Sequence, residues 1–346
     1  MKRSFMFICA VALLLTGCGA SADEASAQLF AMDTVMQLDA YGHQVKQAVS
    51  DAEETIQALE ARLSRTREDS LVSVLNQNGA AQDLSAAEQA LLSEALTFRD
   101  ATGGAFDITI APVMDAWGFT GDSYRVPAQD ELDALLENVN SDEIRLSGSS
   151  VTLGAGQAID LGGIAKGYTS DCVEAVFREN KIESGKISLG GNVFVLGGKP
   201  DGADWRVGIR DPQDENALAA VLTLRDAYAI TSGGYERYFT ENGNTYHHII
   251  DPSTGYPADS GLLSVTVVAE ANGPDFSGPG NGTMCDAFST ALFVMGEERA
   301  LEFWQTGGYD FDLVLVTADG RVIITDGLSD RFEVVKDSGY TYETVS

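Results

Sequence analysis

Several short stretches of this sequence combine the residue types that phosphate and metal chemistry need. Asp160-Leu161-Gly162-Gly163-Ile164-Ala165-Lys166-Gly167 places an acid, paired glycines and a lysine at an expected strand-to-helix junction. Paired glycines let a ligand approach the backbone, a helix start offers free N–H groups, and Lys166 adds positive charge. A glycine-rich turn with a solvated lysine accounts for the same stretch without a ligand. Asp286 and Thr290 lie four apart at the start of an expected helix, so a carboxylate and a hydroxyl share one face. They offer two oxygen ligands to a hard cation such as magnesium, with backbone carbonyls and phosphate oxygens completing the shell. Ordinary first-turn helix chemistry explains that pair equally simply. Histidine is scarce, three in 346 residues, yet His247 and His248 are adjacent in Tyr246-His247-His248-Ile249-Ile250-Asp251-Pro252-Ser253-Thr254-Gly255. In a strand they point to opposite faces, so one can face a site and the other core or solvent. Ser232-Gly233-Gly234-Tyr235-Glu236 and Ala105-Phe106-Asp107-Ile108-Thr109 could each line a nucleotide pocket or form a turn around a buried ring. Gly154-Ala155-Gly156 lacks the third glycine and the βαβ surroundings of a dinucleotide fingerprint, so a Rossmann site is rejected.

The elements that must position these groups can be read from periodicity. Val45, Ala48, Val49, Ala52, Ile56, Leu59 and Leu63 recur at three or four residues and predict an amphipathic helix over 44–63. Ser85-Ala86-Ala87-Glu88 is a capping box that opens a second helix running to about Thr102. A shorter helix is expected after Pro127, and another over 165–180. The runs 150–153, 186–196, 205–210, 218–224 and 228–230 are β-prone and separated by Gly, Asp and Pro. Further strands are expected at 262–269, 311–317 and 322–324, and helices at 285–295 and 297–306. Runs of strands without βαβ alternation make the class α+β. Residues 271–283 read as a long irregular loop.

Composition bounds what such a fold can serve. The formal charge of −30 argues against nucleic acid, and any anionic ligand needs local help from a metal, a lysine or backbone N–H groups. Met1-Lys2-Arg3 followed by an apolar 5–15 stretch reads as a signal peptide, too short to span a bilayer. It ends in Leu15-Thr16-Gly17-Cys18, which resembles a bacterial lipobox. The expected organisation is therefore a lipoprotein signal peptide over 1–17, a small polar tether over 18–28 beginning at a lipidated Cys18, and a single domain over 29–346. Membrane attachment through the lipid and an extracytoplasmic location follow from that expectation. Of the cysteines left in the domain, Cys172 and Cys285 could pair in an oxidising compartment, though their spacing does not require it.

In this order, Met32-Asp33-Thr34, Ala105-Phe106-Asp107, Asp160 to Gly167, Ile187 to Asn192, Ser232 to Tyr235, His248 to Pro252 and Asp286 to Leu292 resemble the FAD:protein FMN transferase family, often called ApbE-like. The resemblance spans roughly residues 29 to 335. It implies an α+β fold of mixed, largely antiparallel sheets with flanking helices enclosing a nucleotide cleft. It also implies that Met32, Ala105, Phe106, Asp107, Asp160, Lys166 and Ser232 hold FAD, with His248 beside the reacting phosphate. A magnesium site from the Gly163 carbonyl, Asp286 and Thr290 is implied as well. The activity implied is magnesium-dependent transfer of FMN from FAD to a Ser/Thr hydroxyl of an acceptor flavoprotein, with release of AMP. Acceptors so implied are flavoproteins such as subunits of ion-pumping redox complexes. A magnesium-dependent FAD pyrophosphatase and a non-catalytic flavin-binding lipoprotein are the alternatives that the same residues would serve.

This sequence departs from the family pattern in three places. Met32-Asp33-Thr34 replaces the usual Met-Gly-Thr, Thr66 stands where relatives often carry an aromatic ring, and the 271–283 loop is longer than the usual connector.

Overall fold

The computed structural model describes residues 23–346 apart from Asp122, Pro274, Asp275 and Ser277. Cys18 and the expected signal peptide lie outside the described residues. The chain builds a nine-stranded sheet in the spatial order Asp23–Ala31, Thr34–Gly42, Ser184–Leu189, Asn192–Leu196, Ala227–Gly233, Leu262–Glu270, Asp312–Thr317, Arg321–Thr325 and Thr341–Val345. Every neighbouring pair is antiparallel except the last, which is parallel.

Alternation along the central strands buries both faces. In Ala227–Gly233, Tyr228 and Ile230 join the larger core beneath the helices, while Ala227 and Ala229 join a second core on the opposite face. Leu313 and Leu315 against Val314 and Val316 divide in the same way. Helices Val45–Leu63, Ala165–Glu179 and Asn281–Met295 cover the first face. A three-stranded sheet of Trp205–Asp211, Asp214–Leu224 and Phe332–Val334 covers the second. Because the period is two, Ser232 falls on the helix side with Tyr228 and Ile230. A small third core of Val113, Trp117, Phe119, Leu132 and Ile250 caps one end, and Trp117 Nε1 donates to the Gly255 carbonyl at 2.7 Å to hold the Asp251–Gly255 turn.

Most expected elements appear, with informative differences. Residues 23–28 of the expected tether belong to the first strand, which pairs in register with Thr34–Gly42 through a two-residue turn. That turn puts Met32 and Asp33 at φ 50° and 59°, a left-handed conformation unusual outside glycine. The single β run expected over 186–196 is broken by Gly190-Gly191, at φ 59° and 95°, into a hairpin. The 271–283 loop is shorter than expected, because the Asn281–Met295 helix starts four residues before Cys285. Both Cys172 and Cys285 are free thiols.

The Ala165–Glu179 and Asn281–Met295 helices run antiparallel and touch backbone to backbone at Gly167 and Gly282. A Cβ placed on Gly167 would sit 2.2 Å from the Gly282 carbonyl oxygen, and one on Gly282 would sit 2.7 Å from the Gly167 oxygen. At this distance each helix caps the other. Neither N-cap residue, Ile164 or Gly280, supplies a side-chain cap. Asp171 of the first helix instead accepts from the N–H groups of Gly280, Gly282 and Thr283 at 2.9, 2.8 and 2.8 Å. Asp286 of the second accepts from the Gly167 N–H at 2.8 Å. Free helix-start donors are thereby satisfied at both ends of the crossing, each by a buried carboxylate aligned with the helix dipole.

Gly167→Ala tests this crossing. Helix propensity favours alanine by about 1 kcal/mol, whereas overpacking against a main-chain oxygen costs about 1–3 kcal/mol and has no flexible atom to yield. With a Cβ approach as close as 2.2 Å the overpacking cost falls in the upper half of its range, so denaturant unfolding should show a net loss of about 1–2 kcal/mol, while Gly121→Ala, where a Cβ meets nothing, stays within about 0.5 kcal/mol. An unchanged unfolding midpoint for Gly167→Ala would contradict the close approach.

Candidate functional site

A cavity of about 380 Å³ opens where the helix crossing meets the sheet and the small cap. Met32, Ala105, Phe106, Asp107, Asp160, Gly163, Lys166, Ser232, His248, Asp286 and Thr290 all line it. Thr66 lines it too, as do the unexpected Glu60, Arg65 and Arg237. None of the described residues of the 271–283 loop does. Asn272, in that stretch, donates its amide to Asp171 and Glu174 at 2.8 Å.

Asp286 lies in the second turn of its helix, with its carboxylate aimed at a neighbouring helix, so first-turn capping of its own helix does not explain it. Its Oδ2 takes the Gly167 N–H, and its Oδ1 takes the Asn192 amide at 3.0 Å. Each oxygen is held by one donor and keeps lone-pair capacity. Thr290, one turn on, has its hydroxyl 3.1 Å from Ser232 Oγ. Gly163 packs on that threonine, since a Cβ there would lie 3.4 Å from Thr290 Oγ1 and 3.2 Å from Phe106 Cε2. The Gly167 N–H is drawn off to Asp286, so the Gly163 carbonyl it would otherwise reach accepts no hydrogen bond among the described residues.

A carboxylate, a hydroxyl and a free main-chain carbonyl are hard oxygen donors, and their chemistry fits magnesium. Among the described residues no group of three His, Cys, Asp or Glu side chains gathers to hold a metal. A divalent ion here would therefore rest on a single carboxylate and need oxygens from its substrate.

The histidine pair divides between core and cavity, although the Asn244–His247 strand ends at the first of them and His248 lies in the bend beyond it. His247 turns to the core, with Nε2 3.1 Å from the Ala258 carbonyl and its ring edge-on to Phe293. His248 faces the cavity, and its Nδ1 lies 3.1 Å from the Arg237 carbonyl. A carbonyl only accepts, so Nδ1 carries the proton and Nε2 keeps its lone pair. Burial pushes its pKa down to about 3, helped by the Lys166 and Arg237 charges, so the ring is neutral near pH 7.

Two expected carboxylates prove to be committed inside the protein. Asp107 Oδ1 accepts from the Thr109 N–H at 2.8 Å and from the hydroxyls of Thr109 and Ser141 at 2.6 and 2.5 Å. Its Oδ2 faces the Ser141 N–H at 3.3 Å and Arg99 at 3.6 Å. It therefore braces the 105–107 wall. Asp160 spends Oδ1 on the Gly162 N–H at 2.7 Å and Oδ2 on Arg65 at 2.9 Å. Glu60 accepts the Met32 N–H at 3.1 Å and so holds the left-handed turn in place. Glu60, Arg65 and Arg237 escaped sequence reasoning because single charged residues at helix ends and turns look like solvated surface. Asn192 appeared in it only as part of a resembling motif.

A family model described as the ApbE family matches residues 32–312. The chain is 33% identical over 312 residues to a protein of Treponema pallidum named FAD:protein FMN transferase, covering 84% of this chain and 83% of the relative. A Klebsiella pneumoniae protein of the same name is 35% identical over 68% of this chain and 70% of its own length. The solved ApbE protein of Thermotoga maritima superposes with a TM-score of 0.78 at 29% identity, covering 91% of this chain and 97% of its own. The flavin transferase ApbE of Vibrio cholerae shares the fold, with a TM-score of 0.74 at 24% identity over 92% of this chain and 98% of its own.

The state of His248 can be measured directly by NMR of its ring nitrogens. Between pH 5 and 8 it should remain neutral with the proton on Nδ1. Its folded pKa, about 3, lies below the ordinary histidine value of 6.5. The stability it contributes is therefore complete above pH 6.5 and is lost as pH falls toward 3. Titration near 6.5, or a proton on Nε2, would contradict this assignment.

Proposed function

This chain belongs to the ApbE family, and from that premise we propose that it is an FAD:protein FMN transferase, dependent on magnesium, that joins FMN to a Ser or Thr hydroxyl of an acceptor flavoprotein and releases AMP. The observation that carries the reading is the meeting of Asp286, Thr290 and the free Gly163 carbonyl with Lys166 and a neutral His248 in one cavity.

Magnesium, held by Gly163, Asp286 and Thr290, would neutralise charge on the diphosphate of FAD. The chain's own residues account for the rest. Phe106, Met32 and the 105–107 backbone form walls for the extended dinucleotide, and Lys166 stands at a helix start whose positive dipole end favours anionic oxygens. Asp160 and Asp107 hold Arg65 and the 105–107 wall respectively, and contribute to binding through the backbone they position. His248 Nε2 accepts the proton of the acceptor hydroxyl as its oxygen bonds to the FMN phosphorus. The bond from that phosphorus to the bridging oxygen breaks, and AMP departs with that oxygen. The Arg237 carbonyl on Nδ1 keeps the ring in the tautomer this transfer needs.

We further propose that Cys18 is lipidated and anchors the enzyme on the extracytoplasmic face of the membrane, where subunits of ion-pumping redox complexes or other flavoproteins would be acceptors. The lipobox-like Leu15-Thr16-Gly17-Cys18 supports this.

Incubating the protein with FAD, magnesium and an acceptor protein, with mass spectrometry of all products, tests the proposal. FMN should appear in phosphoester linkage on the acceptor with one AMP released, and Asp286→Ala should lower the rate about 100-fold or more. Cys18→Ser should transfer normally but leave the membrane fraction. Free FMN with AMP would indicate a pyrophosphatase, intact FAD a binding protein, and undiminished transfer by Asp286→Ala would overturn the site.

A further inference from the structure

The cavity of a protein with a formal charge of −30 must still hold an anionic diphosphate, and three cationic side chains line it: Arg65, Lys166 and Arg237. Arg65 is neutralised within the protein. Its Nη1 donates to Asp160 at 2.9 Å and its Nη2 to both oxygens of Asp115 at 2.9 Å, and its side chain is only 14% exposed. Among the described residues Lys166 meets only the Gly162 carbonyl, at 3.5 Å. Arg237 donates through Nη1 to the Phe119 carbonyl at 2.9 Å, and among the described residues its Nη2 meets a single carboxylate, Asp33, at 3.4 Å.

We propose that Arg237 is a further substrate-binding residue, which grips the diphosphate of FAD together with Lys166, and that Asp33 competes with the substrate for it. This rests on the reading of the cavity as an FAD site.

Placement and weakness of the present pairing both favour this role. The Arg237 carbonyl accepts from the His248 N–H at 3.0 Å and from its ring at 3.1 Å, so the arginine's main chain is bonded directly to the proton acceptor. The Phe119 carbonyl fixes one arm and leaves Nη2 and Nε to meet two oxygens of a phosphate in the forked geometry that guanidinium favours. Asp33 also lines the cavity and reaches Arg237 from the left-handed turn after the first strand. Its pair with Arg237 is exposed on both sides, 74% and 38%, and such pairs are worth at most about 1 kcal/mol. A phosphate carrying full charge displaces it at little cost. Asp33 thus occupies the arginine when the cavity is free and opposes substrate entry by its own charge.

Equilibrium binding of FAD, followed by quenching of flavin fluorescence at low and high salt, tests this without any need for turnover. Arg237→Gln should weaken binding about tenfold and flatten its salt dependence. Asp33→Asn should tighten binding about threefold. The decisive readout is the double variant. If Asp33 acts by occupying Arg237, Asp33→Asn gains nothing in the Arg237→Gln background, whereas a general charge effect would persist there. Both side chains are at the surface of the cleft mouth, and circular dichroism should show both variants folded. Wild-type affinity in Arg237→Gln, weaker binding in Asp33→Asn, or a gain that survives in the double variant would overturn the inference. A wild-type protein that binds no FAD would overturn the functional reading itself.

Discussion

Two antiparallel helices press backbone to backbone at Gly167 and Gly282, and each lends the other a buried carboxylate. Asp171 caps the start of the Asn281–Met295 helix through three N–H groups, and Asp286 takes one N–H from the start of the Ala165–Glu179 helix. Only glycine permits the approach, because a methyl group on either residue would meet a carbonyl oxygen of the other well inside contact distance. The crossing does more than stabilise the core. By diverting the Gly167 N–H, it frees the Gly163 carbonyl in the same motion that orients Asp286. Thr290 follows, since it rides one turn along the same helix and is steadied by Ser232 from the sheet. The oxygen donors of the cavity are thus consequences of a packing contact as much as of their own side chains.

Around that contact the electrostatics are arranged by subtraction. An acidic chain can hold an anion only where its negative charges are spent on internal partners. Asp107 is consumed by Thr109, Ser141 and Arg99, and Asp160 by Arg65 and the Gly162 N–H. Lys166 and Arg237 remain as the cations with weak partners. Burial keeps His248 neutral beside them, and a neutral ring can accept a proton where a charged one could not. Each of these states depends on a group contributed from a distant part of the chain, which explains why the 105–107 loop, the 160–167 turn and the 237–248 segment all converge.

Local chemistry was readable in the sequence where a single segment carried it. The capping box at Ser85 and Glu88 forms with both bonds present, and the apolar spacing of Val45 to Leu63 gives the helix it implies, because both are rules of one turn repeated. The glycine-lysine turn, the histidine pair and Asp286 with Thr290 were likewise visible as motifs, and all line one cavity. What escaped depends on tertiary partners. The first strand looked like a polar tether because it is an edge strand with exposed alternate residues, and only its pairing to Thr34–Gly42 makes it a strand. The start of the Asn281–Met295 helix was misplaced because Gly280, Asn281 and Gly282 are poor helix formers, and the cap that favours them, Asp171, lies more than a hundred residues away. Arg65, Glu60 and Arg237 have no local signature at all. Their roles appear only when Asp160, Met32 and His248 are brought beside them.

If Asp286, Thr290 and the Gly163 carbonyl hold magnesium as proposed, it is the helix crossing, and not Asp286 alone, that sets the geometry of those oxygen donors. Asp171→Asn tests it most directly, because Asp171 makes no hydrogen bond to Asp286 or Thr290, yet an amide in its place would turn an NH₂ toward the backbone donors it now satisfies. The measurement is binding of manganese, a spin-active stand-in for magnesium, to the folded, FAD-saturated variant by electron paramagnetic resonance. A loss of affinity of about tenfold or more relative to wild type is the predicted result. Wild-type manganese affinity in a folded Asp171→Asn protein would contradict it.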